Sequence, residues 1–267
     1  MSNKTQREKI SVSNKKLVTT MIKRGHQLPQ TRVYDFADLS DEDLEPSYVQ
    51  GETSVEMRDL KTDECAILYH RMYADANADA DIVDNDNGEP IVAIHNLASR
   101  FHCGGGYVRG ARAQEEDLCR VIPELYPSMK KSAYPHGETT VWITPNVKIM
   151  RGSDNYSILN ENQQIPVTVV SAAAPALSRN REKWDPDRVR NTLINIMVSV
   201  KKNCPKINTL VLGAFGCGAY HNDPKKISNI MNEVIQEYGG LYERIVISIP
   251  NGRDNNYNTF ESIIDTF

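Results

Sequence analysis

The chain has 267 residues, a hydrophobic fraction of 40%, a charged fraction of 25% and a net charge of −4, which fits an ordinary globular protein able to bury one substantial core. No apolar run reaches membrane-spanning length, and MSNKTQREKISVSNKK lacks the apolar stretch of a secretory signal, so neither membrane insertion nor export is expected. The lysine pairs Lys130/Lys131, Lys201/Lys202 and Lys225/Lys226 are scattered, and direct nucleic-acid binding through a basic tract is not expected either.

Residues 1–52 are polar and read as an appended, partly helical segment. A short helix is expected around VSNKKLVTTMIKRG, ending at Gly25, followed by the acidic loop ADLSDEDLEP. From about Val55 strands and helices alternate. TDECAILYHRMY opens with Thr62 as a helix cap, followed by acidic residues suited to a helix start. ADANADADIVDNDNGEP, acidic and rich in turn residues, reads as a surface loop. IVAIHNLA is an apolar run of strand length, and TTVWITPNVKIMR suggests a hairpin turning at Pro145-Asn146. PVTVVSAAAP, NTLVLGAF and RIVISIP read as buried strands. The two intervening helices each begin Asp-Pro, at Asp185-Pro186 and Asp223-Pro224, a cap followed by proline at the first helical position. This alternation predicts an α/β fold with a largely parallel, buried sheet.

Ligands of such sheets bind outside the carboxyl ends of the strands. Three strand ends here carry unusual residues: HNLASRFHCGGG, SAAAP and GAFGCGAYHND. They are expected on one edge of one sheet. GGGYVRGA lacks the GxGxxG spacing of a dinucleotide fingerprint, and no Walker-type GK[ST] follows. Two small-residue loops at neighbouring strand ends instead suit a diphosphate, whose oxygens accept backbone N–H bonds.

Glu115 and Glu116 stand just beyond the first loop. As helix neighbours they point about 100° apart, so they neither share a face nor flank a sugar from both sides. At a helix start both sit near the positive dipole end, and one can turn into a cleft. The five cysteines form no CxxC and read as reduced thiols, which points to the cytoplasm, or to the nucleus of a compartmentalised cell. Neither His102-Cys103 nor Cys217 with His221 has zinc-ligand spacing. Tyr220 reads equally as a packed aromatic or as a platform for a sugar ring, and Trp142 and Trp184 read as packing.

CGGGYVRGARAQEEDL resembles the signature of the poly(ADP-ribose) glycohydrolases, a GGG loop followed at short distance by Gln-Glu-Glu. Together with IVAIHNLASRFHCGGG, VTVVSAAAP and GAFGCGAYHND, it resembles the microbial-type branch of that family over about residues 53 to 265. The resemblance implies a macrodomain-like three-layer α/β/α fold with a mixed, largely parallel sheet over residues 53–267, behind an N-terminal helical extension of residues 1–52. It implies an enzyme cleaving the ribose–ribose bonds of poly(ADP-ribose), mainly from the free end. The polymer or an ADP-ribosylated protein would be substrate and ADP-ribose the product, with no metal or other cofactor and a monomeric protein.

Carried onto these residues, the resemblance makes Glu116 the catalytic acid, with Glu115 and Asn96 holding hydroxyls of the ribose whose bond is cut, and Gln114 beside them. Gly104, Gly105 and Gly106 would wrap the diphosphate together with Gly213, Ala214, Phe215, Gly216, Cys217, Gly218 and Ala219, and Tyr220 would lie against the distal ribose. The chain departs from the family pattern at His102-Cys103, where a proline often precedes the glycines, at Tyr107-Val108 in place of Phe-Leu, and at Ala176 in place of asparagine. Two other readings are a macrodomain reader that binds terminal ADP-ribose without cutting it, and a hydrolase removing single ADP-ribose units from protein or DNA. The intact Gln114-Glu115-Glu116 argues against a pure reader, because binding alone needs no acid.

Overall fold

A computed structural model of the chain describes residues 3–49, 53–76, 90–178, 181–252 and 254–266. The acidic segment read as a surface loop falls largely outside them. Seven strands form one sheet: β1 (Arg32–Tyr34), β2 (Ser54–Arg58), β3 (Val92–Leu97), β4 (Val141–Ile149), β5 (Ile165–Ala172), β6 (Thr209–Leu212) and β7 (Arg244–Ser248). Their spatial order is β1-β4-β5-β3-β6-β7-β2. The pairs from β5 to β2 are parallel, and β4 and β1 add antiparallel pairs at one edge. The expected mixed, largely parallel sheet is present, and β5, β3 and β6, whose ends carry the unusual stretches, are neighbours in it.

Both faces of the sheet are covered, which is why its strands read as continuous apolar runs. On one face α5 (Pro186–Asn203), α6 (Pro224–Tyr238) and α7 (Asn256–Glu261) pack on Ala93, Val170, Leu210 and Ile245. On the other, α2 (Thr62–Ala76), α3 (Gln114–Val121) and α4 (Leu125–Met129) pack on Val92, Ile94, Val169 and Val246. This is the three-layer α/β/α arrangement. In α6 the buried residues Ile227, Met231, Val234, Ile235 and Tyr238 fall at helical spacing on one stripe; each such aliphatic side chain contributes about 1.5–3 kcal/mol by leaving water. Asp185 and Asp223 cap α5 and α6 as their Asp-Pro sequences predict, accepting from the N–H groups of Arg188 and Lys225.

Three elements differ from the sequence expectation. Residues 141–149 are one long strand rather than a hairpin: Pro145 has no N–H to donate and Asn146 adopts φ +51°. Pairing with β5 therefore jumps from Thr144↔Val169 to Val147↔Val167, setting two residues against one in a β-bulge. The first helix, α1 (Lys4–Lys23), begins earlier than its apolar residues suggest, because Asn3 caps it by accepting the Gln6 N–H at 2.8 Å. Thr62 is the first residue of α2 rather than its cap, and its hydroxyl is taken by Gln114.

The N-terminal segment contributes directly to this frame. β1 pairs with β4 at the sheet edge, and α1 docks behind α3. Asn14, almost completely buried, donates to Tyr107 Oη and to the carbonyls of Cys119 and Arg120, and accepts from Arg151 Nε at 2.7 Å. Arg7 reaches the Gly110 carbonyl at 2.8 Å. Among the described residues no helix is long and apolar enough to cross a membrane.

Candidate active site

The ends of β3, β5 and β6 open into a cleft of about 780 Å³. Its floor is made by α3, entered through the glycine loop that follows β3. Gln114 fixes the angle of that entry. Its Oε1 accepts from the Leu97 N–H at 2.8 Å, and its Nε2 donates to the His95 carbonyl at 2.7 Å and to Thr62 Oγ1 at 3.1 Å. The amide is thus committed to tying the start of α3 to the end of β3.

The next two residues line the cleft although each is nearly buried, Glu115 to 4% exposure and Glu116 to 7%. Each has one carboxyl oxygen held by the loop. Glu115 Oε2 accepts from the Ser99 N–H at 3.0 Å, and Glu116 Oε1 from the Gly106 N–H at 2.8 Å. The other oxygens, Glu115 Oε1 and Glu116 Oε2, have no partner in the described structure. A buried carboxyl with an unused oxygen facing a cleft is costly unless a ligand completes it. Burial, with a contribution from the neighbouring Glu116, raises the Glu115 carboxyl well above the ordinary glutamate range, against the opposing pull of its hydrogen bonds from Ser99, Gly104 and Asn96.

The glycines have a local reason beyond any ligand. Gly105 sits at φ +54°, and a Cβ there would stand 2.5 Å from Glu116 Oε1 and 3.1 Å from Glu115 Oε2. The loop can therefore close over both carboxyls only with glycine at this position. The places a side chain would take at Gly104 and Gly106 are filled by the Tyr126 ring and by Ala111. Of the three, Gly105 lines the cleft.

On the other side of the floor, the loop after β6 supplies Phe215, Gly216, Gly218, Ala219 and Tyr220 to the cleft wall. Gly216, at φ +71°, is pinned between Ala174 and Asn222, where a Cβ would lie 2.4 Å from each. Gly218 has open space around it, with nothing within 4 Å of where a Cβ would be. Tyr220 donates to the Ala98 carbonyl at 3.4 Å, and its own carbonyl accepts from the N–H groups of Leu177 and Ser178. Gly213, Ala214 and Cys217 stand behind this wall. The Cys217 thiol is pushed up to about 12 by burial, so it is a neutral filler and not a nucleophile. Asn96 is fully buried beneath the floor and donates to Ser171 Oγ at 3.0 Å as well as to Glu115.

Several cleft residues escaped the sequence reading. Ser99 holds Glu115 through its N–H and, through its hydroxyl, caps the N–H groups of Phe101 and His102. Phe101, 44% exposed, lies at the cleft wall with the Arg100 guanidinium 4.2 Å from its ring centroid. Arg109, Arg112 and Arg181 also line the cleft. The two arginines inside GGGYVRGARAQEE were visible in the sequence, but glycines and carboxylates drew the reading past them. No cluster of His, Cys, Asp or Glu suited to a metal occurs among the described residues.

The family model for the microbial-type PARG (poly(ADP-ribose) glycohydrolase) catalytic domain matches residues 3–141, a span holding the glycine loop, the Gln-Glu-Glu triplet and α1. A search of curated proteins returned no match. Among solved structures, the poly(ADP-ribose) glycohydrolase from Thermomonospora curvata is similar at TM-score 0.73 and 20% identity, over 97% of this chain and 99% of that one. The same enzyme bound to the inhibitor ADP-HPD gives TM-score 0.70 at 21% identity, over 96% and 98% of the two chains. The glycohydrolase from Deinococcus radiodurans in complex with ADP-ribose gives TM-score 0.67 at 25% identity, over 87% and 93%. With the family model covering more than half its length, and its strand ends, glycine loop and paired glutamates in one cleft, the chain belongs to the microbial-type poly(ADP-ribose) glycohydrolase family.

Proposed function

We propose that the protein hydrolyses the ribose–ribose O-glycosidic bonds of poly(ADP-ribose), with Glu116 as the acid and ADP-ribose as the product. Family membership supports the activity. The observation that supports the residue assignment is the pair of buried carboxyls, each with one oxygen fixed by a backbone N–H and the other left facing the cleft.

The reaction needs a proton on the departing ribose oxygen while positive charge builds on the ribose left behind. Glu116 Oε2 gives that proton as the bond to C1 of the ribose breaks. The resulting carboxylate then takes a proton from the water that adds to C1, which restores the acid. Gly106 holds Oε1 throughout, so the working oxygen does not rotate away. Glu115, kept neutral by burial, adds no like charge beside Glu116, and its free oxygen serves to hold a ribose hydroxyl. The glycine-rich wall from Phe215 to Ala219 offers N–H groups and small side chains to a diphosphate. Folded close to the ribose, that diphosphate supplies the negative charge which the second carboxylate provides in two-carboxylate glycosidases.

The test is incubation with labelled polymer and with mono-ADP-ribosylated protein, followed by separation of products by length. Release of free ADP-ribose with progressive shortening supports the reading and cleavage from the free end. Polymer retained on the protein without any product would instead make it a reader.

A further inference from the structure

We propose that Arg109 and Arg112 form a subsite for the leaving chain, binding the diphosphate of the ADP-ribose unit on the far side of the bond being cut. The inference rests on the glycohydrolase reading above. The short 3-10 turn Tyr107–Arg109 ends in Arg109, whose N–H donates to the Gly106 carbonyl at 2.9 Å; the Ala111 N–H donates to the same carbonyl at 3.1 Å. The N–H of that Gly106 holds Glu116. One peptide unit therefore ties the acid to the backbone that carries both arginines.

Arg109 and Arg112 are exposed and line the cleft. Arg120, the next arginine along the chain, is by contrast fully buried and occupied by Asp117 and the Ala111 carbonyl. The opposite wall, Phe215 to Tyr220, carries no lysine or arginine and presents backbone to its ligand. The two sides of the acid thus differ in kind: backbone N–H groups on one, guanidinium groups on the other.

Chemistry assigns the sides. The oxygen that Glu116 protonates belongs to the leaving chain, so groups sharing the Glu116 side of the cleft face that chain. Each unit of the polymer brings two phosphates, and guanidinium forks suit them. A single ADP-ribose unit on a neutral acceptor has no second diphosphate there. The arginines therefore favour polymer over mono-ADP-ribosylated substrates.

The experiment measures KM for labelled polymer and Kd for ADP-ribose across a salt series, using wild type, R109Q/R112Q and R109K/R112K. Exposed charge contacts are screened by salt. At low salt the Gln variant should raise the polymer KM about 5- to 10-fold, with a log KM against log[salt] slope shallower by about 1. The Lys variant should restore most of both, and ADP-ribose Kd should not follow the change. An unchanged polymer KM and slope in R109Q/R112Q would overturn the inference. So would an equal loss of ADP-ribose binding, which would place the arginines on the unit being released. Wild-type protein that binds ADP-ribose yet leaves polymer intact would overturn the glycohydrolase reading itself, and this inference with it.

Discussion

Glu116 accepts the Gly106 N–H at 2.8 Å, so the proposed acid is held by the loop that closes over it. The contact spans ten residues and needs a glycine between the two ends, because Gly105 at φ +54° leaves no room for a Cβ beside the carboxyls. Loop and acid are in this sense one device, and substitutions in the loop should report on the acid.

Gly105→Ala is expected to lower polymer turnover at least about 100-fold, the scale of losing a positioned acid. The left-handed backbone adds a stability cost of about 1–2 kcal/mol. Steady-state turnover beside a thermal melt checks this, and near-normal turnover would show that the acid tolerates displacement.

Gly218→Ala separates ligand from fold. The open space at this position means that the substitution should leave Tm within about 2 °C of wild type, as for a surface change. If a diphosphate lies against this wall, calorimetric titration should find ADP-ribose bound at least tenfold more weakly. Unchanged affinity would move the diphosphate elsewhere.

The raised Glu115 carboxyl predicts a stability that falls with rising pH. Because the folded pKa lies above the unfolded value near about 4.3, the folded state binds more protons through the window between them. In that window stability declines as pH increases, and the cost persists above it. Glu115→Gln keeps an acceptor for the Ser99 N–H but cannot ionise. Its Tm should exceed that of wild type at pH 7 and converge with it near pH 4. Parallel Tm curves across this range would contradict the assignment.

Asn14→Ala tests the helix behind the site. It removes three donated hydrogen bonds and one accepted from the buried Arg151, a loss of about 2–3 kcal/mol. Tm should fall by about 5 °C or more. A shift below about 1 °C would mean that α1 is not integral to the domain.

Much of this arrangement was legible before any coordinates. Asp185-Pro186 and Asp223-Pro224 announce two helices through local chemistry, and the apolar runs ending in HNLASRFHCGGG, SAAAP and GAFGCGAYHND place three loops on one sheet edge. Local sequence does not reveal which atoms use a residue. Gln114 reads as a ligand contact, yet its amide is taken by Leu97, His95 and Thr62. Gly104 and Gly106 read as room for phosphate, yet that room holds Tyr126 and Ala111. The bulge at Pro145-Asn146 mimics a hairpin turn because both need the same residues; pairing with β5 along the whole strand decides between them. The docking of α1 rests on Asn14, one polar residue whose partners lie about a hundred positions away.

The central claim is that Glu116 supplies the proton. Glu116→Gln keeps the shape and the acceptor for Gly106 but cannot donate as an acid. Turnover of labelled polymer should fall at least about 100-fold, while calorimetry still finds ADP-ribose bound. Near-normal turnover by a Glu116→Gln variant that binds ADP-ribose would contradict the account.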